Sequence, residues 1–149
     1  MLHNDKKKAI ANFTEDEVRN YMKKVYATLI VLLTIISLAG CGYSSSYKAT
    51  SFVHSNHGSE ADMSFGTFDG RMVFKLKSFG EGDITYKAKL ESGSAKVYYD
   101  YFGTKEELFA LSDGEGVDSH GGYVEKGYVY IIVETDEKCT NGEFWFCIE

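Results

Sequence analysis

The chain has 149 residues, a formal net charge of −6 and an aromatic content of 15%. This length suits one domain with one modest core rather than two domains. The acidic balance disfavours nucleic acid and anionic lipid head groups as partners, because a negatively charged surface repels both.

The only strongly apolar segment is residues 25–40, sixteen residues without a charged side chain. A membrane-spanning helix needs about 20 apolar residues and a signal-peptide core roughly 7–15, so this length favours a signal peptide. Lys23 and Lys24 precede the segment and would stay cytoplasmic under the positive-inside rule. Thr14 and Glu17 form a T-x-x-E capping box, which predicts a helix over about residues 14–38.

The apolar segment ends in Leu38, Ala39, Gly40 and Cys41, a motif that resembles the lipobox of bacterial prolipoproteins. The resemblance implies that a signal peptidase recognises the first three residues and removes residues 1–40. It also implies a covalent diacylglycerol and an acyl chain on Cys41, and no other cofactor is predicted. The mature protein would then be extracytoplasmic, anchored at the cell surface or at the periplasmic face of a membrane.

Two other interpretations of the N-terminal segment remain open. Its charged region is about 24 residues long and partly acidic, which favours an uncleaved signal anchor with a short cytoplasmic tail. A buried helix of a soluble protein is the third interpretation, and the abrupt change of composition after Cys41 argues against it.

Residues 41–60 are rich in serine and glycine, a composition that predicts a flexible tether between the membrane and a folded domain of residues 61–149. Residues 41–149 carry ten basic and eighteen acidic side chains, a formal net charge of −8. This charge suits an ectodomain that must not adhere to its own membrane.

Alternating apolar and polar residues predict short strands separated by glycine- and serine-rich turns. The predicted inward rows are Met72, Phe74 and Leu76; Ile84, Tyr86, Ala88 and Leu90; Ala95, Val97, Tyr99 and Tyr101; Val129, Ile131 and Val133; and Phe144, Phe146 and Ile148. Residues 108–111 fit a strand or one helical turn, and residues 112–122 fit a loop. The pattern predicts an all-β fold, a small antiparallel β-sandwich of about six to eight strands that follows the N-terminal signal helix.

The segments FDG, FKLK, GEGDITYKAKLESG, VYYDYFG, GYVYIIVE and GEFWF, within residues 64–149, are similar to small β-sandwich domains of uncharacterised surface lipoproteins. This resemblance implies a fold and a location but no catalytic residues. If the last two strands form a hairpin, Val133 lies opposite Phe144 and Ile131 opposite Phe146, since a one-residue slip would expose one row.

Cys139 and Cys147 form an even pair, which invites a disulfide in an oxidising compartment. In the predicted hairpin, however, Cys139 lies near the loop tip and Cys147 lies opposite Tyr130. Their separation is then on the order of 15 Å, whereas bridged Cα atoms lie within about 7 Å, so two unpaired thiols are predicted.

Several polar clusters contain residue types that metal sites and catalytic sites use. His54 and His57 form an H-x-x-H motif, but in a serine-rich tether nothing orients them, and His120 with Asp118 is an equally loose pair. The acidic residues Asp113, Glu115 and Asp118 lack the residue order of an EF-hand. No nucleophile elbow is present either, so no metal site and no enzymatic activity are predicted.

The exposed aromatic residues are the best remaining indication of a ligand. Tyr98, Tyr130 and Trp145 fall on the predicted outer face, with Asp100 nearby, and such surfaces suit a protein partner or a glycan. We therefore predict a membrane-anchored, non-catalytic binding or envelope-associated module. The alternative is a carbohydrate-binding module, which would require the three aromatic residues to form one exposed platform.

Overall fold

The computed structural model describes residues 18–27, which are helical, and residues 42–149. Within these described residues, no helix has the length and hydropathy that a membrane span requires. The lipobox, residues 38–41, lies outside the described residues. The strands all belong to a separate compact unit, Tyr43–Glu149.

Nine antiparallel strands form this unit, so the predicted all-β sandwich is confirmed with at least one strand more than expected. The strands are β1 (Ser46–Thr50), β2 (Val53–His57), β3 (Glu60–Ser78), β4 (Gly82–Ser92), β5 (Ala95–Tyr101), β6 (Thr104–Leu111), β7 (Gly116–Val124), β8 (Gly127–Thr135) and β9 (Cys139–Ile148).

The sheet has the strand order β6-β5-β8-β3-β9-β4-β7, and β3 joins its two layers. Residues 60–68 of β3 pair with β9, whereas residues 71–78 pair with β8. Gly70 lies between these halves with a φ of 126°, and a Cβ there would be 2.3 Å from the Ser46 carbonyl oxygen, so the corner requires glycine. Because the Lys77 amide donates to the Gly58 carbonyl at 2.8 Å, both ends of β3 meet at one end of the sandwich.

The two layers enclose the core between their inner faces. We name the first the β4 layer (β2, the first half of β3, β9, β4 and β7) and the second the β5 layer (the second half of β3, β8, β5 and β6). Aromatic rings pack between the layers, with centroids 6.3 Å apart for Phe74 and Phe146 and 4.7 Å apart for Tyr86 and Phe109. Each such ring stabilises the fold by about 1.5–3 kcal/mol through its burial.

The predicted inward rows are confirmed. Every member is buried except Tyr99, Tyr101 and Ile148, which are half-buried and pack against the core. Period-two alternation therefore identifies correctly which face of each central strand is turned inward.

The predicted hairpin between the last two strands is wrong. Val133 pairs with Met72, while Phe144 pairs with Met63 and with Ala88. The three residues between β8 and β9 form a corner rather than a hairpin turn. Because β3 bends at the same place, β8 pairs with its second half and β9 with its first half.

The prediction of a flexible tether over residues 41–60 is wrong for most of its length. Both β1 and β2 pair with β3 in one continuous register, from Ser46 opposite Arg71 to His57 opposite Glu60. The predicted loop is also wrong over β7, which pairs with β4, and residues 108–111 belong to β6. All these strands lie at sheet edges, where exposed side chains on both faces remove the apolar alternation.

Cys139 and Cys147 are both free, as predicted, although for a different reason. They lie eight residues apart on the same strand, β9, which separates them by about 27 Å. Cys139 is a buried residue at the start of the strand rather than part of a loop tip.

Candidate functional site

Trp145 lies at the centre of the outer face of the β4 layer. The strand register places Ser55, Asp62, Trp145, Lys87 and Asp118 side by side, one residue each from β2, β3, β9, β4 and β7. Side chains alternate between the two faces of a strand, so these five share the face opposite the core. We call this row, with the flanking residues Glu60, Ser64, Lys89, Gly116 and Glu143, the Trp145 face.

Polar contacts hold the central row in place. The Trp145 indole Nε1 donates to Glu60 Oε1 at 2.5 Å. The Lys87 ammonium nitrogen lies 2.8 Å from Asp118 Oδ2, and the Ser55 hydroxyl donates to Asp62. The half-buried indole ring is therefore fixed in orientation before any ligand arrives.

The charges of the face alternate across its strands. The hydrogen bond from Lys87 to Asp118, followed by the attraction between their charges, raises the pKa of the Lys87 ammonium above its usual value. One row further along, Lys89 lies 3.0 Å from Glu143 and forms a second ion pair between neighbouring strands. The face thus presents carboxylates on both sides of one aromatic ring and two lysines on its β4 side.

A groove of about 670 Å³ passes over the face and is lined by Trp145, Lys87, Lys89 and Asp118 among others. A second hollow of about 840 Å³ shares Ser64, Lys89, Gly116 and Glu143 with it and continues the groove towards Asn141. Gly116 has no side chain to narrow the groove at the β7 edge. The open face is therefore long enough for an extended ligand.

The structure does not bring the four predicted surface residues together. Tyr98, Asp100 and Tyr130 lie on the outer face of the β5 layer, where Asp100 is paired directly with Tyr130 and Tyr98 with Ile132. Trp145 lies on the outer face of the other layer. The expected platform of three aromatic residues is wrong, because the sheet folds over between β8 and β9 and the two outer faces point away from each other.

Asp100 is only 5% exposed, so it is not available to a ligand. Its Oδ2 accepts a 2.5 Å hydrogen bond from the Tyr43 hydroxyl, and its Oδ1 accepts one of 2.7 Å from the Gly103 amide. The centroid of the Tyr43 ring lies 5.6 Å from that of the Tyr130 ring, so Tyr43 covers this part of the outer face of the β5 layer. The hydrogen bond to Asp100, together with burial, raises the pKa of Tyr43 to about 12.

The histidines lie apart. His54 and His57 are three residues apart on β2, an odd spacing that places their side chains on opposite faces of the strand. His120 lies on β7, and two strands, β9 and β4, separate β7 from β3. In the part of the chain that the structure describes, no three histidine, cysteine or carboxylate side chains converge in a way that could hold a metal ion.

The acidic residues Asp113 and Glu115 have structural partners. Asp113 accepts a hydrogen bond from the Gly93 amide, and Glu115 accepts one of 2.7 Å from the Ser112 amide. Both carboxylates therefore satisfy backbone groups of turns.

Sequence reasoning identified Trp145 but missed most of the residues around it. Asp62, Lys87 and Lys89 are distant from Trp145 in sequence, and only the register of β3, β9 and β4 makes them its neighbours. The alternation of lysines with apolar residues in β4 was the available signal, since it placed both lysines on an outer face. Cys147 also lies on this face between Glu60 and Thr85, and burial raises the pKa of its thiol.

Comparisons with known proteins find no matching protein-family model and no matching curated protein. Among solved structures, the chain is similar to the pre-peptidase C-terminal domain of a collagenase from Bacillus anthracis, with a TM-score of 0.41, 10% identity and coverage of 68% of this chain and 90% of that one. A variant of a family 29 carbohydrate-binding module has a TM-score of 0.36 and 18% identity over 72% of this chain and 74% of that one. A CBM4 structure has a TM-score of 0.39 and 12% identity over 70% of this chain and 79% of that one. These similarities are too distant to indicate a function.

Proposed function

We propose that this protein is a membrane-anchored, non-catalytic binding module that holds a glycan on the Trp145 face. One observation carries the proposal: although the platform of three aromatic rings is absent, a single oriented indole ring lies in an open groove, with charged side chains on both sides. Binding sites commonly combine an apolar surface with a few well-placed polar groups in this way.

The indole ring supplies the apolar part of such a site. Tryptophan presents a large, rigid surface at a low cost in conformational entropy, and its π face is electron-rich. A sugar ring has a face of C–H groups that can pack against this surface. Because the hydrogen bond to Glu60 already fixes the indole, little further ordering is needed when a ligand packs on it.

The flanking charged side chains supply the polar part. Sugar hydroxyl groups both donate and accept hydrogen bonds, so they suit a surface on which lysines and carboxylates alternate. Lys87 offers donors beside the ring, and Asp62 and Asp118 offer acceptors on the same row. The five strands of the row span about 19 Å, which accommodates an oligosaccharide rather than one sugar.

A binding role fits these carboxylates better than a catalytic one. Asp118 and Glu143 are each paired with a lysine, and Glu60 accepts the indole N–H. Glycoside hydrolysis requires two carboxyl groups on opposite sides of the scissile bond, one of them protonated. Carboxylates held in ion pairs suit a surface that recognises a ligand without cleaving it.

The membrane attachment in this proposal rests on Cys41 and the residues before it. The short apolar run, its basic flank and the small residues at 39 and 40 support lipidation of Cys41. Such an anchor would present the domain on the extracytoplasmic side, where polysaccharides are abundant.

The test uses Trp145 itself, since it is the only tryptophan in the protein. The detergent-solubilised protein, extracted from membranes, is titrated with a panel of soluble polysaccharides, including xylan, mixed-linkage β-glucan, glucomannan and solubilised peptidoglycan. We expect at least one of them to shift the tryptophan emission to shorter wavelength as the sugar excludes water from the ring. If the emission stays unchanged across the panel, glycan binding at this face is rejected.

Affinity gel electrophoresis with the same polysaccharide separates the two outer faces. Trp145→Ala should abolish the retardation, whereas Tyr98→Ala, an aromatic truncation on the opposite layer, should leave it intact. The reverse result would place the ligand on the β5 layer and overturn the proposed site.

A further inference from the structure

Exposed aromatic side chains are concentrated at one end of the sandwich. Within Tyr43–Glu149, six large hydrophobic side chains are exposed, and four of them belong to this end. They are Phe79 (68% exposed), Phe102 (82%), Tyr123 (55%) and Tyr128 (56%). We call the surface formed by these four residues the aromatic end.

Strand pairing shows that these residues share one end. Ser78, the last residue of β3, pairs with Gly127 at the start of β8, and Tyr101, the last residue of β5, pairs with Val129. At the β7 edge, Gly82 pairs with Val124. The turns that carry Phe79 and Phe102 are therefore adjacent to the connection between β7 and β8.

Lysines accompany the aromatic rings. The Lys75 ammonium lies 4.1 Å from the centroid of the Tyr128 ring, and the Lys77 ammonium lies 5.0 Å from that of Phe79. Tyrosine, together with lysine whose stem is apolar and whose head is charged, is typical of surfaces that sit at a membrane–water interface. Exposed apolar clusters of this kind mark interaction sites rather than ordinary surface.

The short stretch of residues 43–45, which precedes β1, runs towards the same end. Because β1 is antiparallel to β3 and Ser46 pairs with Arg71, the chain before Ser46 extends in the direction of Ser78. Tyr43 is fixed there by its hydrogen bond to Asp100. The other carboxylate oxygen of Asp100 accepts a hydrogen bond from the amide of Gly103, which follows Phe102 in the turn between β5 and β6.

The chain length between anchor and domain is very short. Cys41 precedes Tyr43 by two residues, and two extended residues span at most about 7 Å. The predicted tether of residues 41–60 would have allowed the domain to stand away from the membrane. With β1 and β2 in the sheet and Tyr43 bound to Asp100, that freedom is lost.

We propose that the aromatic end is a membrane-contact surface, with Phe79 and Phe102 inserted at the boundary between head groups and acyl chains of the bilayer that holds Cys41. This inference rests on the membrane anchor of the proposed function. In this orientation β4 runs away from the bilayer. Lys87, on the Trp145 face, lies five residues along β4 from Gly82, which places it about 17 Å from the aromatic end.

Depth-dependent fluorescence quenching tests the contact. Protein expressed from the full-length gene and purified from the membranes of a lipoprotein-processing host is reconstituted into phosphatidylcholine vesicles with and without brominated acyl chains. The wild type reports only Trp145, and its emission should be the same in both kinds of vesicle. Phe102→Trp and Phe79→Trp should each add emission that brominated lipid quenches by more than half.

Val53→Trp is the matched control, because Val53 is 64% exposed but lies far from the aromatic end. The β2–β3 turn is at that end, and Val53 is four residues further along β2. Its added emission should escape quenching. If protein that floats with the vesicles shows no quenching of either probe at the aromatic end, the domain stands away from the bilayer and the contact is rejected. If the protein fails to float with the vesicles at all, the anchor itself is rejected, and the contact with it.

Discussion

The Tyr43 hydroxyl and the Asp100 carboxylate form a 2.5 Å hydrogen bond across 57 residues of sequence. The bond holds Tyr43, which precedes β1, over the outer face of the β5 layer. Asp100 is almost fully buried there, and Ile132, which lies outside the main core cluster, is completely buried. This layer therefore has packing on both faces, whereas the Trp145 face remains open.

Removing the Tyr43 hydroxyl should weaken the fold. Tyr43→Phe leaves one oxygen of the buried Asp100 without its donor, which costs about 1–2 kcal/mol of the free energy of unfolding. Urea unfolding followed by Trp145 emission measures the difference. Tyr47→Phe is the control, because the Tyr47 ring packs on Phe68 but, among the described residues, its hydroxyl has no hydrogen bond. Equal stability of the two variants would show that the Tyr43–Asp100 bond contributes nothing.

The same bond should give a specific dependence on alkaline pH. The pKa of Tyr43 is raised to about 12 in the folded state, above its ordinary value of 10.0, because the protonated hydroxyl donates to Asp100. The stabilisation of the fold by this hydrogen bond is complete below pH 10 and is lost as the pH rises towards 12. The difference in unfolding free energy between wild type and Tyr43→Phe should shrink over this range. A difference that is constant from pH 9 to 12 would contradict the raised pKa.

The sequence predicts the central strands well because their two faces have different environments. In β4, apolar Ile84, Tyr86 and Ala88 alternate with polar Thr85, Lys87 and Lys89, and the structure buries the apolar row. The edge strands β1, β2 and β7 are not predicted, because side chains exposed on both faces carry no such alternation.

The candidate site was only partly predictable for a related reason. Alternation correctly assigned Trp145 and Tyr130 to outer faces, but it does not say which outer face. That depends on the corner at Gly70, which folds β3 and sends β8 and β9 to different layers. Nor does alternation reveal that a distant residue, Tyr43, covers Asp100.

Close packing at Gly142 predicts a sensitive position in the core. A Cβ at this residue would lie 2.2 Å from Cζ of Phe65, whose ring stacks on Phe144. Gly142→Ala should therefore lower the free energy of unfolding by about 1–3 kcal/mol through overpacking. Gly80→Ala is the control, since no atom lies within 4 Å of a Cβ there. Thermal unfolding compares the two, and equal midpoints would mean that Phe65 moves aside freely.

Lys87 should matter for binding and not for stability. Its ion pair with Asp118 is largely exposed to solvent on both sides, and exposed pairs contribute little to folding. Lys87→Met should leave the urea midpoint unchanged and weaken retardation on a polysaccharide gel at least fivefold. Lys96→Met removes a comparable ion pair with Asp136 and should leave retardation unchanged. Equal retardation of the two variants would remove Lys87 from the binding site.

The lipid anchor has a direct test in intact mass spectrometry of membrane-extracted protein. We expect a chain that starts at Cys41 and carries a diacylglyceryl group and an acyl chain. In Cys41→Ala this mass should disappear, because the thiol that accepts the lipid is absent. An unmodified full-length mass in the wild type would instead identify a signal anchor, with the helix that includes residues 18–27 retained in the working protein.

The position of β9 in the sheet has a consequence for the timing of folding. This strand is the last of the nine to be synthesised, yet it lies between β3 and β4 and pairs with both. Until β9 emerges, β4 and β7 have no partner that joins them to the rest of the sheet. Folding dominated by such distant pairings is slow, because long segments of chain must be ordered before the contacts that stabilise them can form. The strands β4 and β7 therefore join the rest of the sheet only after the final strand has been made and lies between β3 and β4.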